Sequence, residues 1–257
     1  MDNTLNKENW FELVTQECKE YSVPPSRNCI DVGANVGGFV EAHKDKIQNF
    51  FCVEPGSSNI EEFKTHHSNL LKSGRVKICN RAVHNKSNSS LKLKRYIGEG
   101  MFANSGSNST FSFQYKNGHG WSDDPDEYEE VKTISFEDVM KKALSYFDAV
   151  EIDVLKVDCE GAEYEFLIDQ DLSKIKLITM EIHNFLDCFP AKDNPRINQR
   201  VDLIYHISKT HDLFFSKGYP QLFVDPLTDE ISYDRSDIIS SEETNPAHGI
   251  VSFRRKT

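Results

Sequence analysis

The sequence predicts a doubly wound α/β domain, with a mostly parallel seven-stranded sheet covered by helices on both faces. Three observations carry this expectation. From Asn28 onward, short apolar runs alternate with stretches of helical periodicity. Several runs, such as Leu177–Ile182, are nearly continuous in apolar residues, as strands buried on both faces require. The first run passes directly into a glycine-rich turn and then a helical pattern over Asp31–Phe39, the ligand-binding arrangement of such sheets.

Ahead of the sheet, residues 4–21 place Trp10, Val14, Cys18 and Tyr21 at helical spacing until Pro24 and Pro25 stop the pattern. Residues 1–27 are therefore expected to form a helical cover, and residues 28–257 one domain. Candidate strands follow at Cys29–Val32, Phe50–Val53, Val76–Ile78, Ile152–Val157, Leu177–Ile182, Gln221–Val224 and Ile250–Phe253. Helices are expected between them over 37–48, 59–71, 136–147, 164–170 and 197–217. Ser135 and Asp138 have the spacing of a capping box, and Gly218 suits a helix stop. No helical stretch separates the last two candidate strands, so they are expected as an antiparallel pair at one edge of the sheet. Residues 98–130 break the rhythm. They are rich in Gly, Ser and Asn, carry aromatics such as Phe111, Tyr115 and Trp121, and are expected to insert beside a substrate pocket.

Composition narrows the function classes. Hydrophobic residues make up 38% and charged residues 28%, as in a soluble globular domain. No apolar run approaches the roughly 20 residues that span a bilayer. The first residues lack the basic-then-apolar pattern of a secretory leader, so a cytoplasmic, reducing setting is expected. The six cysteines form no CxxC pair and read as buried free thiols. A net charge of −11 argues against nucleic acid as a partner.

The turn Asp31–Phe39 reads DVGANVGGF. Gly33 permits a tight bend, and Gly37 is expected to let the helix approach the strand. A dinucleotide site needs a further glycine between them, for close approach of the pyrophosphate. Asn35 occupies that place. A side chain there obstructs pyrophosphate but suits an adenosyl ligand without phosphates, such as S-adenosylmethionine (SAM). Asp31 is expected to attract the ammonium of SAM, while backbone N–H groups over Gly33, Ala34 and Gly37 meet its carboxylate. Glu54, at the end of the second strand, is placed to accept hydrogen bonds from the ribose hydroxyls. Ala82, after the third strand, is placed near the adenine.

The fourth candidate strand leads into LKVDCEGAEYEFL (155–167), and the fifth ends in MEIH (180–183). Asp158 stands at the carboxyl end of a central strand, where open sheets bind ligands. Glu181 and His183, two apart on a strand, share a face. These three are the candidate catalytic residues. His183 is expected to act as a general base in its neutral form, oriented by Glu181 or Asp158. The same three side chains could instead hold Mg²⁺ or Mn²⁺.

The segments DVGANVGGF (31–39), VEP (53–55), NRAV (80–83), VKTISFEDV (131–139), LKVDCEGAEYEFL and MEIH together resemble the FkbM family of SAM-dependent methyltransferases. The resemblance spans about residues 28–185 in the same order. It implies a Rossmann-like class I SAM methyltransferase fold and O-methylation, often of sugars or of hydroxyls on natural products. The expected partner is a small-molecule or glycan acceptor, and a place as one domain of a larger glycan-synthesising protein stays open. Two other classes stay open on the residues alone. One is a nicotinamide oxidoreductase, which Asn35 argues against. The other is a non-catalytic module that binds an adenosyl ligand or a glycan.

Overall fold

The computed structural model describes residues 7–94, 96–97, 120–121, 128–183, 195–217, 223–224, 231–232 and 248–257. Helix α1 (Lys7–Cys18) leads into strand β1 (Ser26–Val32), and helix α2 (Gly38–His43) follows the glycine turn. The chain continues through β2 (Ile47–Val53), α3 (Ser57–His66), α4 (Ser68–Lys72) and β3 (Val76–Cys79). Next come β4 (Ala82–His84), β5 (Ser90–Lys94), β6 (Tyr96–Ile97), β7 (Gly120–Trp121) and β8 (Tyr128–Ser135). Then follow α5 (Phe136–Phe147), β9 (Ile152–Val157), α6 (Glu163–Phe166), β10 (Ile175–His183) and α7 (Pro195–Ser208). The last elements are β11 (His211–Lys217), β12 (Phe223–Val224), β13 (Ile231–Ser232) and β14 (His248–Arg255).

The main sheet has seven strands in the order β11-β14-β10-β9-β1-β2-β3. The pairs β9–β1, β1–β2, β2–β3 and β10–β9 are parallel, and β14 runs antiparallel to both β10 and β11. Strand order reverses between β1 and β9, so this sheet has its ligand crevice at their carboxyl ends.

Alternation along the strands divides the core in two. Ile30, Val32, Leu155 and Val157 face a core that includes Phe136 and Val139 of α5 and Phe166 of α6. Cys29 and Val154 face the opposite core with Val14 and Cys18 of α1 and Phe39 of α2. Helix α1 therefore packs chiefly on α2. A Cβ at Gly38 would lie 2.6 Å from Val14 Cγ1 and 3.0 Å from its carbonyl carbon, so glycine is what lets the two backbones approach.

The C-terminal region departs from expectation. Residues 211–217 were expected to end a helix, but α7 stops at Ser208 and β11 follows. His211 is buried, and its Nε2 bonds the Ile175 carbonyl at 2.9 Å. An apolar stretch this short reads equally as helix or strand from its periodicity. The expected edge pairing is corrected too. The reversed strand, β14, lies one place inside the edge, between β10 and β11, while Phe223–Val224 pairs with Ile231–Ser232. Gly218 and most of residues 98–130 lie outside the described residues.

Strands β4, β8 and β5 form a small second sheet that the sequence did not suggest. Ala82, Leu93 and Val131 make its core. At the head of α5, Ser135 Oγ accepts from Asp138 N at 3.2 Å. The reciprocal half of the capping box runs through Ser87. Its hydroxyl accepts from Ser135 N at 2.8 Å and donates to the Asp138 carboxylate.

Candidate functional site

The β1–α2 turn and the β9 exit are built as one unit. Gly33 has φ of +75°, and a Cβ there would sit 1.7 Å from the Asp158 carbonyl oxygen. No residue with a side chain can hold that turn against β9. Asp158 N donates to Val32 O at 3.0 Å, locking the two strand ends together. Asn35 is left-handed at φ of 49°, a conformation asparagine tolerates better than most residues. Gly37 is also left-handed, but what crowds it is His67 rather than a strand. A Cβ would lie 2.4 Å from His67 Nε2, which in the structure bonds the Gly37 carbonyl at 3.0 Å.

A cleft opens here, between the glycine turn and the β9 exit. Gly33, Asn35, Glu54, Ala82 and Asp158 all line it, joined by Asn59, Arg81, Cys159 and Glu160. Asp31, Ala34 and Gly37 do not line it. Glu54 is 5% exposed and organises the floor. Its Oε2 accepts from Asn35 N at 2.9 Å; its Oε1 accepts from Gly56 N at 2.8 Å and Asn59 Nδ2 at 3.1 Å. Burial pushes the Glu54 carboxyl up, and the amides of Gly56 and Asn35 hold it back.

The turn amides are committed internally, which corrects their expected role. Gly33 N and Ala34 N donate to Val53 O at 2.9 and 3.1 Å, and Gly37 N donates to Ala34 O at 2.9 Å. With Asn35 N bonded to Glu54, these four N–H groups are already satisfied within the turn. Asp31, fully buried, faces Lys156 of β9, whose Nζ lies 3.2 Å away. The same ammonium donates to Gly33 O at 2.8 Å and lies 3.5 Å from Asp158 Oδ2. Burial pulls the Lys156 pKa down, but Asp31 and Asp158 outweigh it and hold the side chain as a cation.

At the end of β10, His183 is surrounded by carboxylates. Its Nε2 lies 3.4 Å from Glu160, 3.9 Å from Asp158 and 4.0 Å from Glu181. Neither Asp158 nor Glu181 orients the ring, as the sequence suggested. Glu163 does. Its fully buried Oε1 accepts from His183 N at 3.2 Å and faces Nδ1 at 3.3 Å, while Oε2 accepts from Gly161 N at 3.0 Å. A carboxylate opposite Nδ1 requires the hydrogen on that nitrogen and turns Nε2 toward the cleft. Tyr164 fixes the backbone by donating to His183 O at 2.9 Å.

Burial disfavours the charged imidazole, but Glu160 and then Glu163 overcome it and raise the His183 pKa well above its ordinary value. The surrounding carboxylates thus favour the protonated ring over the neutral base that was expected. Burial and Asp158 push Glu181 up to about 8, with His183 acting the other way.

Glu160 reaches this cluster because the β9 exit turns through two left-handed residues, Glu160 at φ of 50° and Gly161 at 94°. For a non-glycine residue that conformation costs about 1–2 kcal/mol, and such strain concentrates at functional sites. Glu160 also enters the trio whose ligand atoms lie within 4.8 Å of one another: Asp158, Glu160 and His183, with Glu181 outside it. Two carboxylates and an imidazole are donors suited to Mg²⁺ or Mn²⁺.

A doubly wound, mostly parallel sheet thus sets a glycine turn at its switch point beside a carboxylate–imidazole cluster. The chain belongs to the methyltransferase FkbM domain family, whose model matches residues 31–213. No curated protein matches it. Among solved structures, it is similar to the methyltransferase FkbM from Methylobacillus flagellatus KT, with a TM-score of 0.47 and 11% identity. That match covers 91% of this chain and 45% of the other, so this chain spans less than half of that protein's length. It is also similar to M. capricolum TrmK in complex with S-adenosyl-homocysteine (TM-score 0.41, 8% identity, covering 99% of this chain and 70% of that one). A third match is precorrin-6y C5,15-methyltransferase from Geobacter metallireducens GS-15 (TM-score 0.41, 8% identity, 100% and 92% covered). Among the described residues, no helix is long and apolar enough to cross a membrane.

Proposed function

We propose that this chain transfers a methyl group from SAM to a hydroxyl oxygen of a small molecule or glycan. The observation that carries the reading is shared lining. Asp158 and Glu160 border the cleft and also face His183 Nε2, so a cofactor in the cleft would present its far end to a proton-accepting cluster. The residues fit the cofactor. Asn35 stands where pyrophosphate would need glycine, Glu54 is buried at the ribose position, and Ala82 lines the wall expected for adenine.

Bound there, SAM would supply an electrophilic sulfonium methyl for the acceptor oxygen and would leave as S-adenosylhomocysteine. The hydroxyl proton passes to the cluster. Within the cluster, Glu160 and Asp158 are the carboxylates that line the cleft, while His183, held by Glu163, fixes their positions. Alignment of acceptor and donor contributes about 7–11 kcal/mol in favourable cases, and proton removal a further ~10²–10⁴-fold. Carboxylates at the mouth disfavour phosphate-bearing acceptors, which supports a neutral polyol over nucleic acid.

The test is methyl incorporation from labelled SAM across glycans, hydroxylated metabolites and RNA. Label in a hydroxylated acceptor, lost ~10²-fold or more in His183→Ala with cofactor affinity retained, is expected. Label in RNA alone would overturn the acceptor class. The spacing of Asp158, Glu160 and His183 favours a second reading, in which a divalent cation lowers the pKa of the acceptor hydroxyl. Activity that survives exhaustive EDTA treatment would exclude it.

A further inference from the structure

The main sheet carries opposite charge at its two ends. Its carboxyl end holds Glu54, Asp158, Glu160 and Glu181. A second groove, at its amino end, is lined by Arg27, Lys46, Lys176 and Arg254 against a single carboxylate, Asp153. In a chain of net charge −11, such a concentration of cations calls for an explanation. Asp153 builds the floor. Its Oδ2 accepts from Arg27 N at 2.9 Å and Asn28 N at 3.2 Å, and its Oδ1 accepts from Lys176 Nζ at 2.8 Å. That carboxylate is fully used, so it leaves the remaining cations uncompensated. Arg27, Lys46 and Arg254 are exposed, and among the described residues none of them pairs with a carboxylate. The Arg254 guanidinium lies over the Phe214 ring, 4.6 Å from its centroid, which leaves its N–H groups for a partner.

Register fixes how these cations are spread. Cys29, Phe50 and Leu177 face the α1 core, so alternation puts Arg27 and Gln48 on that same face. Arg254 stands directly opposite Leu177 in the β10–β14 ladder and shares its side. Strands β14 and β1 are separated by β10 and β9, so the backbones of Arg254 and Arg27 lie about 14 Å apart across the sheet. Apolar Leu177 lies along the groove between them, and Pro24 and Pro25 form a stiff wall. This spread suits carboxylates carried along an extended chain, where side chains on one face recur about every 7 Å. A compact anion would need the cations gathered at one point. No aromatic ring lines the groove to stack a nucleic-acid base.

We propose that this amino-end groove docks an extended acidic peptide of a partner protein. Carboxylates of the peptide pair with Arg27, Lys46 and Arg254, and the methylenes of its side chains cover Leu177. The groove shares no lining residue with the cofactor cleft and lies at the other end of the strands, so the assignment does not depend on the function proposed above.

The experiment titrates the full chain into fluorescein-labelled octaglutamate and follows anisotropy, with octalysine, inorganic tripolyphosphate and oligouridylate as comparison ligands. Saturable binding of octaglutamate is expected at low salt, weakening as salt screens the exposed charges. Arg27→Gln combined with Arg254→Gln should weaken it about tenfold, as loss of two exposed ion pairs implies. Lys46→Gln, an exposed change with no packing cost, should weaken it about threefold and serves as the second variant if the double one does not fold. Octalysine should not bind. Absence of saturable binding to octaglutamate, wild-type affinity in either folded variant, or tighter binding of tripolyphosphate or oligouridylate than of octaglutamate would each overturn the assignment.

Discussion

Replacing Glu163 with glutamine probes the site through a residue that never touches the cleft. The carboxylate serves three donors: His183 N and Nδ1 through one oxygen, at 3.2 and 3.3 Å, and Gly161 N through the other, at 3.0 Å. A carboxamide keeps the shape but offers one oxygen. Its NH₂ must then face either Gly161 N–H or the His183 side, placing donor against donor in a fully buried position. Breaking one side of a buried charge pair costs about 3–5 kcal/mol. In a protein of this size 1 kcal/mol moves the melting temperature by about 2–4 °C, so a fall of roughly 6–20 °C is expected. Turnover should drop because Nε2 loses its fixed direction, while S-adenosylhomocysteine affinity stays near wild type. Scanning calorimetry and a labelled-methyl assay read both. An unchanged melting temperature with unchanged turnover would refute the role given to Glu163.

Further expectations follow from the same geometry. Gly33→Ala forces a Cβ to within 1.7 Å of the Asp158 carbonyl at a left-handed φ, so soluble yield or thermal stability should collapse; a stable variant that binds cofactor normally would contradict the joint construction of the turn and β9. Glu54→Gln should weaken S-adenosylhomocysteine about tenfold or more in calorimetry, since it removes charge-assisted bonds at the ribose position, and wild-type affinity would remove Glu54 from the site. His43 gives a pH-dependent stability. Burial lowers its pKa from 6.5 to about 4, its Nε2 bonds Cys18 O at 2.9 Å, and its Nδ1 has no partner. Between those values the unfolded chain holds the proton and the folded one does not. The stabilisation is therefore complete above pH 6.5 and lost as pH falls toward 4, a difference of about 3 kcal/mol. Denaturant titrations of wild type and His43→Gln should diverge by about that much over the window, and parallel curves would contradict the assignment.

The sequence revealed the sheet where burial forced apolar continuity, and less where it did not. Strands β1, β9 and β10 lie at the centre, and their apolar runs mark them; α5 has an amphipathic stripe and a serine cap. By contrast, β4, β5 and β8 pair in a small sheet with one modest core, so their alternation is too brief to stand out. The stretch 211–217 supports either period, and burial of His211 against the Ile175 carbonyl decides it. At the site, Asp158, Glu181 and His183 could be found because strand ends place them. Glu163 could not. It reaches His183 across 20 residues through a left-handed turn at Glu160 and Gly161.

The central claim is that the turn carrying Asn35 accepts a nucleoside without phosphates. Isothermal calorimetry of the folded chain against S-adenosylhomocysteine and against NADH tests it directly. Saturable one-to-one heat with S-adenosylhomocysteine and none with NADH is the predicted result. Binding of NADH, or silence with S-adenosylhomocysteine at millimolar concentration, would contradict it.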